Sequence, residues 1–234
     1  MKTDEKNTLT FGADEIPCKE CRLPDAITLL APKNDHIGNV YEQGVWYEGI
    51  MLAYMRQFGG GLTFVDVGAF VGGHSVWMAN MCNAKEVYAF EPNKALFQIM
   101  GENLYINGCD KVVTAKNVAL GAKKGKGEMK ERFTGNVGAH SVVAKRGGDV
   151  SIATLDSYEL PHIDILKVDA EGMGAQVLEG ARISITAHRP RIFIECATDV
   201  ELDDAHAVLD PLGYFRGQVF NWTPTYEFIP RVTV

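Results

Sequence analysis

The sequence predicts an α/β fold in which helices flank a mostly parallel sheet. The chain has 234 residues, of which 46% are apolar, and this is enough to bury one sizeable core. From residue 62 onward, short apolar runs rich in β-forming residues alternate with helical segments. Such alternation favours parallel strands joined by right-handed crossovers. Two of the apolar runs end in acidic residues, at the edge where sheets of this kind bind their ligands.

The elements can be placed in order along the chain. Residues 1–40 form an N-terminal extension with several turn-forming prolines and glycines and one predicted strand at 26–30. Residues 41–234 form the main domain, which opens with a helix over 41–58 that the glycines at 59–61 end. Strands are predicted at 62–67, 86–90, 111–118, 164–168, 191–195, 215–220 and 226–229. Helices are predicted at 72–81, 93–107, 175–187 and 202–209.

The segment 121–150 interrupts this alternation. It is rich in glycine and lysine and holds two short β-like pieces, at 128–133 and 141–144. An insertion of this length in a compact α/β domain is usually a functional loop or flap. We expect it to contribute to ligand recognition, together with the N-terminal extension and the tail around 221–225.

The charge balance limits the class of ligand. Lys and Arg total 23 and Asp and Glu total 30, so the formal net charge is −7. This charge repels a phosphate backbone at long range and argues against general nucleic-acid binding. No apolar run approaches the roughly 20 residues that span a bilayer, and residues 1–10 lack a signal-peptide core. We expect a cytoplasmic protein with no membrane partner and a small or neutral ligand, and homo-oligomer formation stays open.

The five cysteines predict neither a disulfide framework nor a complete metal site. They are odd in number and scattered along the chain. Cys18 and Cys21 form one CxxC, which supplies half of a zinc site, and no second CxxC or HxxxH follows. We predict two free thiols and no metal; a metal shared with another chain is the alternative.

The strongest functional signal follows the strand at 62–67. This strand ends in Asp66 and Val67, and the chain turns through Gly68 and Gly72 into a helix. Gly68 permits the tight turn, and Gly72 removes a side chain where backbone approaches a ligand. A nicotinamide fingerprint would need GxGxxG, which the glycine spacing here does not match. A carboxylate at the strand end suits a cationic or hydroxyl-bearing ligand and not a diphosphate.

A second acid sharpens this interpretation. The next strand ends in Glu91 and Pro92, and a carboxylate there can accept both hydroxyls of a ribose. The two strand ends together predict an adenosine ligand that needs no phosphate cradle. S-adenosylmethionine fits, since it offers a ribose, an adenine, an amino acid and a sulfonium.

These motifs occur in an order that resembles the FkbM-type class I methyltransferases over about residues 40–200. The resemblance rests on VDVGAFVG at 65–72, FEP at 90–92, NVALG at 117–121, TLDS at 154–157, ILKVDAEG at 165–172 and VLEGA at 177–181. It implies a Rossmann-like fold with a seven-stranded, mostly parallel sheet, the last strand antiparallel, and helices on both faces. It also implies that 41–234 is a methyltransferase domain that binds S-adenosylmethionine, transfers its methyl group, mostly to a hydroxyl oxygen, and releases S-adenosylhomocysteine.

The resemblance also implies roles for individual residues. The cofactor-binding set is Asp66, Gly68, Ala69 and Gly72 at the methionine end, Glu91 and Pro92 at the ribose, and Asn117, Val118 and Ala119 beside the adenine. The helix before the first strand often lies over the methionine end in this fold, which adds Glu48. The chain departs from the family at Phe70 and Val71, usually Asn-Ile, and at 173–175, where a second acid is usual.

The catalytic and substrate residues are predicted at the mouth of the fourth strand and in the insertion. Asp169 and Glu171 face the transferred methyl group, and His140 is a second candidate for the base. The alternative is that Asp169 only orders its loop and that Glu171 only caps the next helix. The predicted substrate residues are Asn136 and Ser141, from a weaker continuation of the resemblance, and Glu195 at the end of the fifth strand.

Three functions compete. The first is O-methylation of a sugar or other small molecule. The second is methylation of nucleic acid or protein, which the negative charge and the absence of an Asn-Pro-Pro-Tyr tetrapeptide after the fourth strand disfavour. The third is a non-catalytic adenosyl-binding module or a nicotinamide oxidoreductase, and the glycine spacing and the lack of a Tyr-x-x-x-Lys disfavour the oxidoreductase.

Overall fold

The structure, a computed structural model, describes residues 9–11, 16–131 and 140–231. It begins with an antiparallel sheet of three strands, β1 (Leu9–Phe11), β2 (Ile16–Arg22) and β3 (Thr28–Pro32). The sequence predicted only one strand in this region, at 26–30. Buried residues of these strands, such as Leu29, belong to the same hydrophobic cluster as Met100 of the main domain.

Two short helices follow the N-terminal sheet, α1 (His36–Glu42) and α2 (Gly49–Arg56). The prediction of one helix over 41–58 was therefore wrong. The chain leaves the helical conformation at Gly44, where φ is 71°, and at Glu48, where φ is 56°. Trp46 lies between the two helices and is nevertheless buried. The hydrophobic spacing of the sequence therefore continues across the break and does not reveal it.

The remaining elements form the main domain and its insertion. Up to the insertion they are β4 (Thr63–Val67), α3 (Gly73–Asn80), β5 (Glu86–Phe90), α4 (Lys94–Ile106) and β6 (Val113–Lys116). The insertion follows with β7 (Ala119–Leu120), β8 (Gly125–Glu131), β9 (His140–Ala144) and β10 (Val150–Ala153). The chain then forms β11 (Ile165–Val168), α5 (Gly174–Glu179), α6 (Arg182–His188), β12 (Arg191–Glu195), α7 (Asp199–Leu209), β13 (Tyr214–Phe220) and β14 (Thr225–Pro230).

Seven strands form the central sheet in the order β13-β14-β12-β11-β4-β5-β6. Strands β12, β11, β4, β5 and β6 are parallel, and β14 is antiparallel to both of its neighbours. Successive residues of β4 enter different clusters: Phe64 packs with Met78 of α3, and Val65 packs with Leu178 of α5. The predicted fold, a seven-stranded and mostly parallel sheet with a reversed last strand and helices on both faces, is confirmed.

The insertion folds into a second sheet. Its strand order is β7-β10-β8-β9, and Ala119, Val142, Val150 and Ile152 form a small core of their own. The sequence predicted the pieces equivalent to β8 and β9 but continued the third strand through residue 118. In the structure β6 ends at Lys116, and the chain crosses to the second sheet as β7.

The predicted helix at 175–187 is interrupted at Gly180. A Cβ atom on Gly180 would lie 2.1 Å from the carbonyl oxygen of Gly121, so the two backbones approach too closely for any side chain. The Asp156 carboxylate then accepts the backbone N–H groups of Ile183 and Ser184 and caps the new helix α6. None of the helices in the described ranges is both long and apolar enough to cross a membrane.

Candidate functional site

A cavity of about 740 Å³ opens at the carboxyl ends of the central parallel strands. From β4 the chain continues to β5 and β6 on one side of the sheet, whereas β11 and β12, which come later, lie on the other side of β4. The cavity therefore lies where the strand order reverses, the usual ligand position in sheets of this kind. Nine of the sequence-predicted residues line it: Glu48, Gly68, Glu91, Pro92, Val118, Ala119, Asp169, Glu171 and Glu195.

The floor of the cavity is the turn between β4 and α3. Gly68 has φ 76°, and a Cβ atom there would lie 1.7 Å from the carbonyl oxygen of Asp169, so only glycine fits. The N–H groups of Gly68 and Ala69 both donate to the carbonyl oxygen of Phe90, each at 3.0 Å. Gly72 has φ 81° and lies against Met100 behind the turn. Ala69 and Gly72 therefore shape the turn, and they are not part of the cavity lining.

Glu91 presents a carboxylate at the end of β5. Its Oε2 accepts the N–H of Phe70 and its Oε1 accepts the N–H of Asn93, both at 2.8 Å. The residue is only 5% exposed, and this burial raises the pKa of Glu91 to about 8 in spite of the two N–H donors. Each oxygen keeps a lone pair beyond its backbone contact, so the carboxylate can accept two more hydrogen bonds from the cavity.

Asn117 supports this strand end from behind. Its side-chain amide donates to the carbonyl oxygens of Glu91, at 2.9 Å, and Pro92, at 3.0 Å. Asn117 itself is not part of the lining, whereas the next two residues, Val118 and Ala119, form an apolar wall beside Pro92.

Asp66 is wholly buried under the cavity floor and does not line the cavity. Its carboxylate accepts the Ser75 hydroxyl at 2.7 Å and the Lys167 ammonium at 3.2 Å. Lys167 is also buried and reaches Asp169 at 3.4 Å. Burial opposes ionisation of both groups, yet their attraction lowers the pKa of Asp66 and raises that of Lys167. The sequence analysis missed Lys167 as a site residue, although a lysine inside a strand buried on both faces needs an anionic partner.

Acidic side chains surround the end of the cavity next to Asp169. Burial, followed by repulsion from Asp169, raises the pKa of Glu48 to about 8 and that of Glu195 to about 9. Burial and Lys167 lower the pKa of His74 to about 4, so this ring is neutral at pH 7. Glu48 and Glu171 are both non-glycine residues with positive φ, 56° and 45°. Such backbone conformations cost free energy and concentrate at functional sites.

The structure places the remaining predicted residues less directly. Ser141 lies on β9 outside the lining, and its neighbour Val142 is part of the lining. His140 begins β9, and nothing about its side chain is described. Asn136 lies outside the described residues.

The rim of the cavity carries residues that sequence reasoning identified only as a region. Asn221, Trp222 and Thr223, from the turn between β13 and β14, line the opening, and the Trp222 indole is fully exposed. Tyr47 and His36, with rings 6.0 Å apart, close the opposite side. No spacing rule marks these residues, because they come from a turn, from the segment between α1 and α2 and from the first residue of α1, and their meeting depends on the whole fold.

Comparison with known proteins matches the chain to the Methyltransferase FkbM domain over residues 66–215, more than half of its length. The chain belongs to the FkbM methyltransferase family. This confirms the family resemblance that the motifs indicated, and a comparison with curated proteins finds no match.

Solved structures agree with the FkbM fold. The methyltransferase FkbM of Methylobacillus flagellatus KT superposes with a TM-score of 0.55 at 17% identity, over 72% of this chain and 43% of that one. The chain thus spans less than half the length of that relative. The precorrin-6y C5,15-methyltransferase of Geobacter metallireducens gives a TM-score of 0.50 at 17% identity, over 85% and 90%. A precorrin 8W decarboxylase of Methanobacterium thermoautotrophicum gives 0.51 at 17%, over 78% and 90%. At these identities the likeness shows the fold.

Proposed function

We propose that this FkbM-family protein uses S-adenosylmethionine to methylate a hydroxyl group of a small molecule such as a sugar. The observation that carries the proposal is the Glu91 carboxylate, which faces a cavity with two uncommitted lone pairs beside an apolar wall. This is the arrangement that a ribose joined to a flat base requires. The cavity volume, about 740 Å³, also lies within the range of about 300–1,000 Å³ that small-molecule sites occupy.

The donor set of the site fits this cofactor. Glu91 accepts the two ribose hydroxyls, and Pro92, Val118 and Ala119 enclose the base. Glu48 and Asp169 line the cavity and offer carboxyl groups to the sulfonium and the amino group of the cofactor. When bound, S-adenosylmethionine supplies an activated methyl group for in-line displacement. The site contains no helix-end glycine cradle of the GxGxxG kind, which a dinucleotide would require.

The protein contributes orientation and proton removal. Holding two reactants in line is worth about 7–11 kcal/mol in well-oriented systems. Asp169 or Glu171 takes the hydroxyl proton as the new oxygen–carbon bond forms, which typically adds about 10²–10⁴-fold. Asp169 lies on the cavity wall with the Lys167 ammonium 3.4 Å from its Oδ2, so its carboxylate is placed to accept this proton.

A small acceptor is favoured over a nucleic acid. The net charge of −7 and the acids at the inner end of the cavity both repel phosphate groups. The acceptor enters past Trp222, whose exposed ring offers a flat surface for a sugar or other ring.

Calorimetry tests the cofactor assignment. S-adenosylhomocysteine should bind with measurable heat and raise the melting temperature, while a nicotinamide dinucleotide should do neither, since only ligands of the native state stabilise it. Glu91→Ala should remove this shift, and Glu102→Gln, an exposed acid on α4, should keep it. No heat with either form of the methyl donor, or unchanged binding by Glu91→Ala, would refute the assignment.

A further inference from the structure

The opening of the cavity carries three side chains that the cofactor assignment does not use. Trp222 and Thr223 line it from the turn between β13 and β14, and Tyr47 lines it from the segment before α2. All three lie outside residues 66–215, the part of the chain that matches the FkbM domain. The family match therefore does not explain why these side chains meet at the opening.

The turn that carries Trp222 is fixed in place at both ends. The Asn221 amide donates to the Met51 thioether of α2 at 3.6 Å. The carbonyl oxygen of Pro224 accepts the N–H of Cys196, the residue after β12, at 2.9 Å. The Trp222 side chain nevertheless stands fully in solvent. An indole on an anchored turn offers a ligand a large apolar surface at a low cost in conformational entropy.

Tyr47 is held beside the same helix on the other side of the opening. Its ring stacks on His74, with centroids 6.2 Å apart and planes inclined by 15°, and meets His36 edge-on at 6.0 Å. Tyr47 comes two residues before α2, and Met51, which holds the Trp222 turn, lies in the first turn of that helix. The start of α2 therefore fixes the two sides of the opening relative to each other.

Two hydroxyl groups at the opening are uncommitted. Within the ranges that the structure describes, neither the Tyr47 phenol nor the Thr223 hydroxyl makes a hydrogen bond, although both residues line the cavity. Burial, followed by repulsion from Glu48 and then Asp169, raises the pKa of Tyr47, so its hydroxyl keeps its proton at pH 7. Each hydroxyl can donate one hydrogen bond and accept others. The opening thus combines an apolar surface with polar groups that await a partner.

A pyranose ring complements this combination. The C–H bonds on one of its faces make that face apolar, while its hydroxyl groups project around the edge. The indole of Trp222 can cover the apolar face, and Tyr47 and Thr223 can each hydrogen-bond an edge hydroxyl. An acyclic polyol has the hydroxyl groups but no rigid apolar face, so it satisfies only half of the site.

We propose that Trp222, Tyr47 and Thr223 form the acceptor subsite and bind a pyranose ring, with its apolar face on the indole and one hydroxyl directed toward Asp169. This inference rests on the proposed function, because it names the class of acceptor and the residues that select it. None of the three residues removes the proton of the reacting hydroxyl. Their loss should therefore raise the KM for the acceptor and leave kcat nearly unchanged.

Titration of the full chain, saturated with S-adenosylhomocysteine, tests the subsite by ligand-observed nuclear magnetic resonance. The probes are the methyl pyranosides of glucose, galactose, mannose and rhamnose in both anomeric forms, with the acyclic polyols sorbitol and galactitol for comparison. We expect saturable binding of at least one pyranoside and of neither polyol. Trp222→Ala should weaken this binding about tenfold or more, because it removes the stacking surface. Tyr47→Phe, which removes only a hydroxyl, should weaken it about 2–10-fold.

A matched control removes a different exposed ring. Tyr105→Ala changes a residue of α4 that is exposed and does not line the cavity, so it should bind the pyranoside like the wild type. The proposal is overturned if no pyranoside binds saturably, if the polyols bind as tightly as the pyranosides, or if Trp222→Ala binds as tightly as the wild type.

Parallel calorimetry with S-adenosylhomocysteine separates this proposal from the proposed function. Trp222 is not assigned to cofactor binding, so Trp222→Ala should bind S-adenosylhomocysteine within about twofold of the wild type. S-adenosylhomocysteine binding by a wild type that ignores every pyranoside contradicts the acceptor subsite and leaves the cofactor assignment intact. Pyranoside binding by a wild type that ignores S-adenosylhomocysteine supports the subsite and contradicts the proposed function.

Discussion

Ligand binding should be coupled to the protonation of Glu91. Burial raises the pKa of this carboxyl to about 8 in the free protein, so at pH 7 about nine-tenths of the molecules carry the proton there. The two ribose hydroxyls donate hydrogen bonds to lone pairs of the Glu91 carboxyl oxygens. Their binding therefore favours the ionised form of Glu91 over the protonated form. Binding of S-adenosylhomocysteine at pH 7 should therefore release a proton from Glu91.

The magnitude follows from linkage. A ligand that needs the carboxylate binds about tenfold more weakly for each pH unit below 8, or about 1.4 kcal/mol per unit. Affinity should fall about tenfold from pH 7 to pH 6 and level off above pH 8. Glu91→Gln cannot ionise, so its weaker binding should lose this component of the pH dependence.

Calorimetry in buffers of different ionisation enthalpy measures the released protons directly. We expect the wild type and the exposed-site control Glu102→Gln to release about 0.9 proton more at pH 7 than Glu91→Gln does. An affinity that is flat between pH 6 and pH 8 in the wild type would refute the reasoning. Equal proton release by wild type and Glu91→Gln would refute it as well.

Three further outcomes follow from the buried contacts and the rim. Asn103→Ala should lower the free energy of unfolding by about 3 kcal/mol or more. The buried Asn103 amide hydrogen-bonds the N–H and carbonyl groups of Leu30 and the carbonyl of Val71, and each backbone group left unsatisfied costs about 1–3 kcal/mol. A loss below about 1 kcal/mol in urea unfolding would contradict this. Lys167→Met should lower the free energy of unfolding by about 3–5 kcal/mol at pH 7, because it leaves the Asp66 carboxylate buried without a cation. The loss should be smaller at pH 5, where Asp66 of the variant can take up a proton. A loss of stability that does not change with pH would contradict this. Trp222 is exposed whereas Trp46 and Trp77 are buried, so Trp222→Phe should remove the tryptophan fluorescence that acrylamide quenches. In the wild type, a true methyl acceptor should protect this fluorescence from acrylamide. An acceptor that leaves the quenching unchanged binds elsewhere.

The sequence predicted those parts of the fold that local patterns determine. Strands buried on both faces, such as β4, appear as continuous apolar runs, and their order with the intervening helices specifies the sheet. It also placed Glu91, Asp169 and Glu195 at strand ends that converge at one edge. The same logic placed Asp66 in the cavity, whereas the structure pairs this carboxylate with Lys167 beneath the floor. Whether the Asp66 carboxylate points into the cavity or beneath its floor depends on Lys167 of the neighbouring strand, which the local sequence around Asp66 does not contain.

Other features depend on contacts between distant segments. At Gly180, between α5 and α6, the backbone of Gly121 passes too close for a side chain, and no helix-propensity pattern contains that information. The left-handed conformation of Glu48 separates two helices that hydrophobic spacing joins. Trp222 reaches the cavity rim only because β14 returns antiparallel beside β12. Each of these is determined by tertiary packing, which overrides the local preference.

The most direct test of the central claim is a crystal structure with S-adenosylhomocysteine bound. The two ribose hydroxyls should lie within about 3.2 Å of the Glu91 carboxylate oxygens, with the base against Val118 and Ala119. A nucleoside bound elsewhere, with the Glu91 carboxylate in contact only with Phe70 and Asn93, would contradict the account.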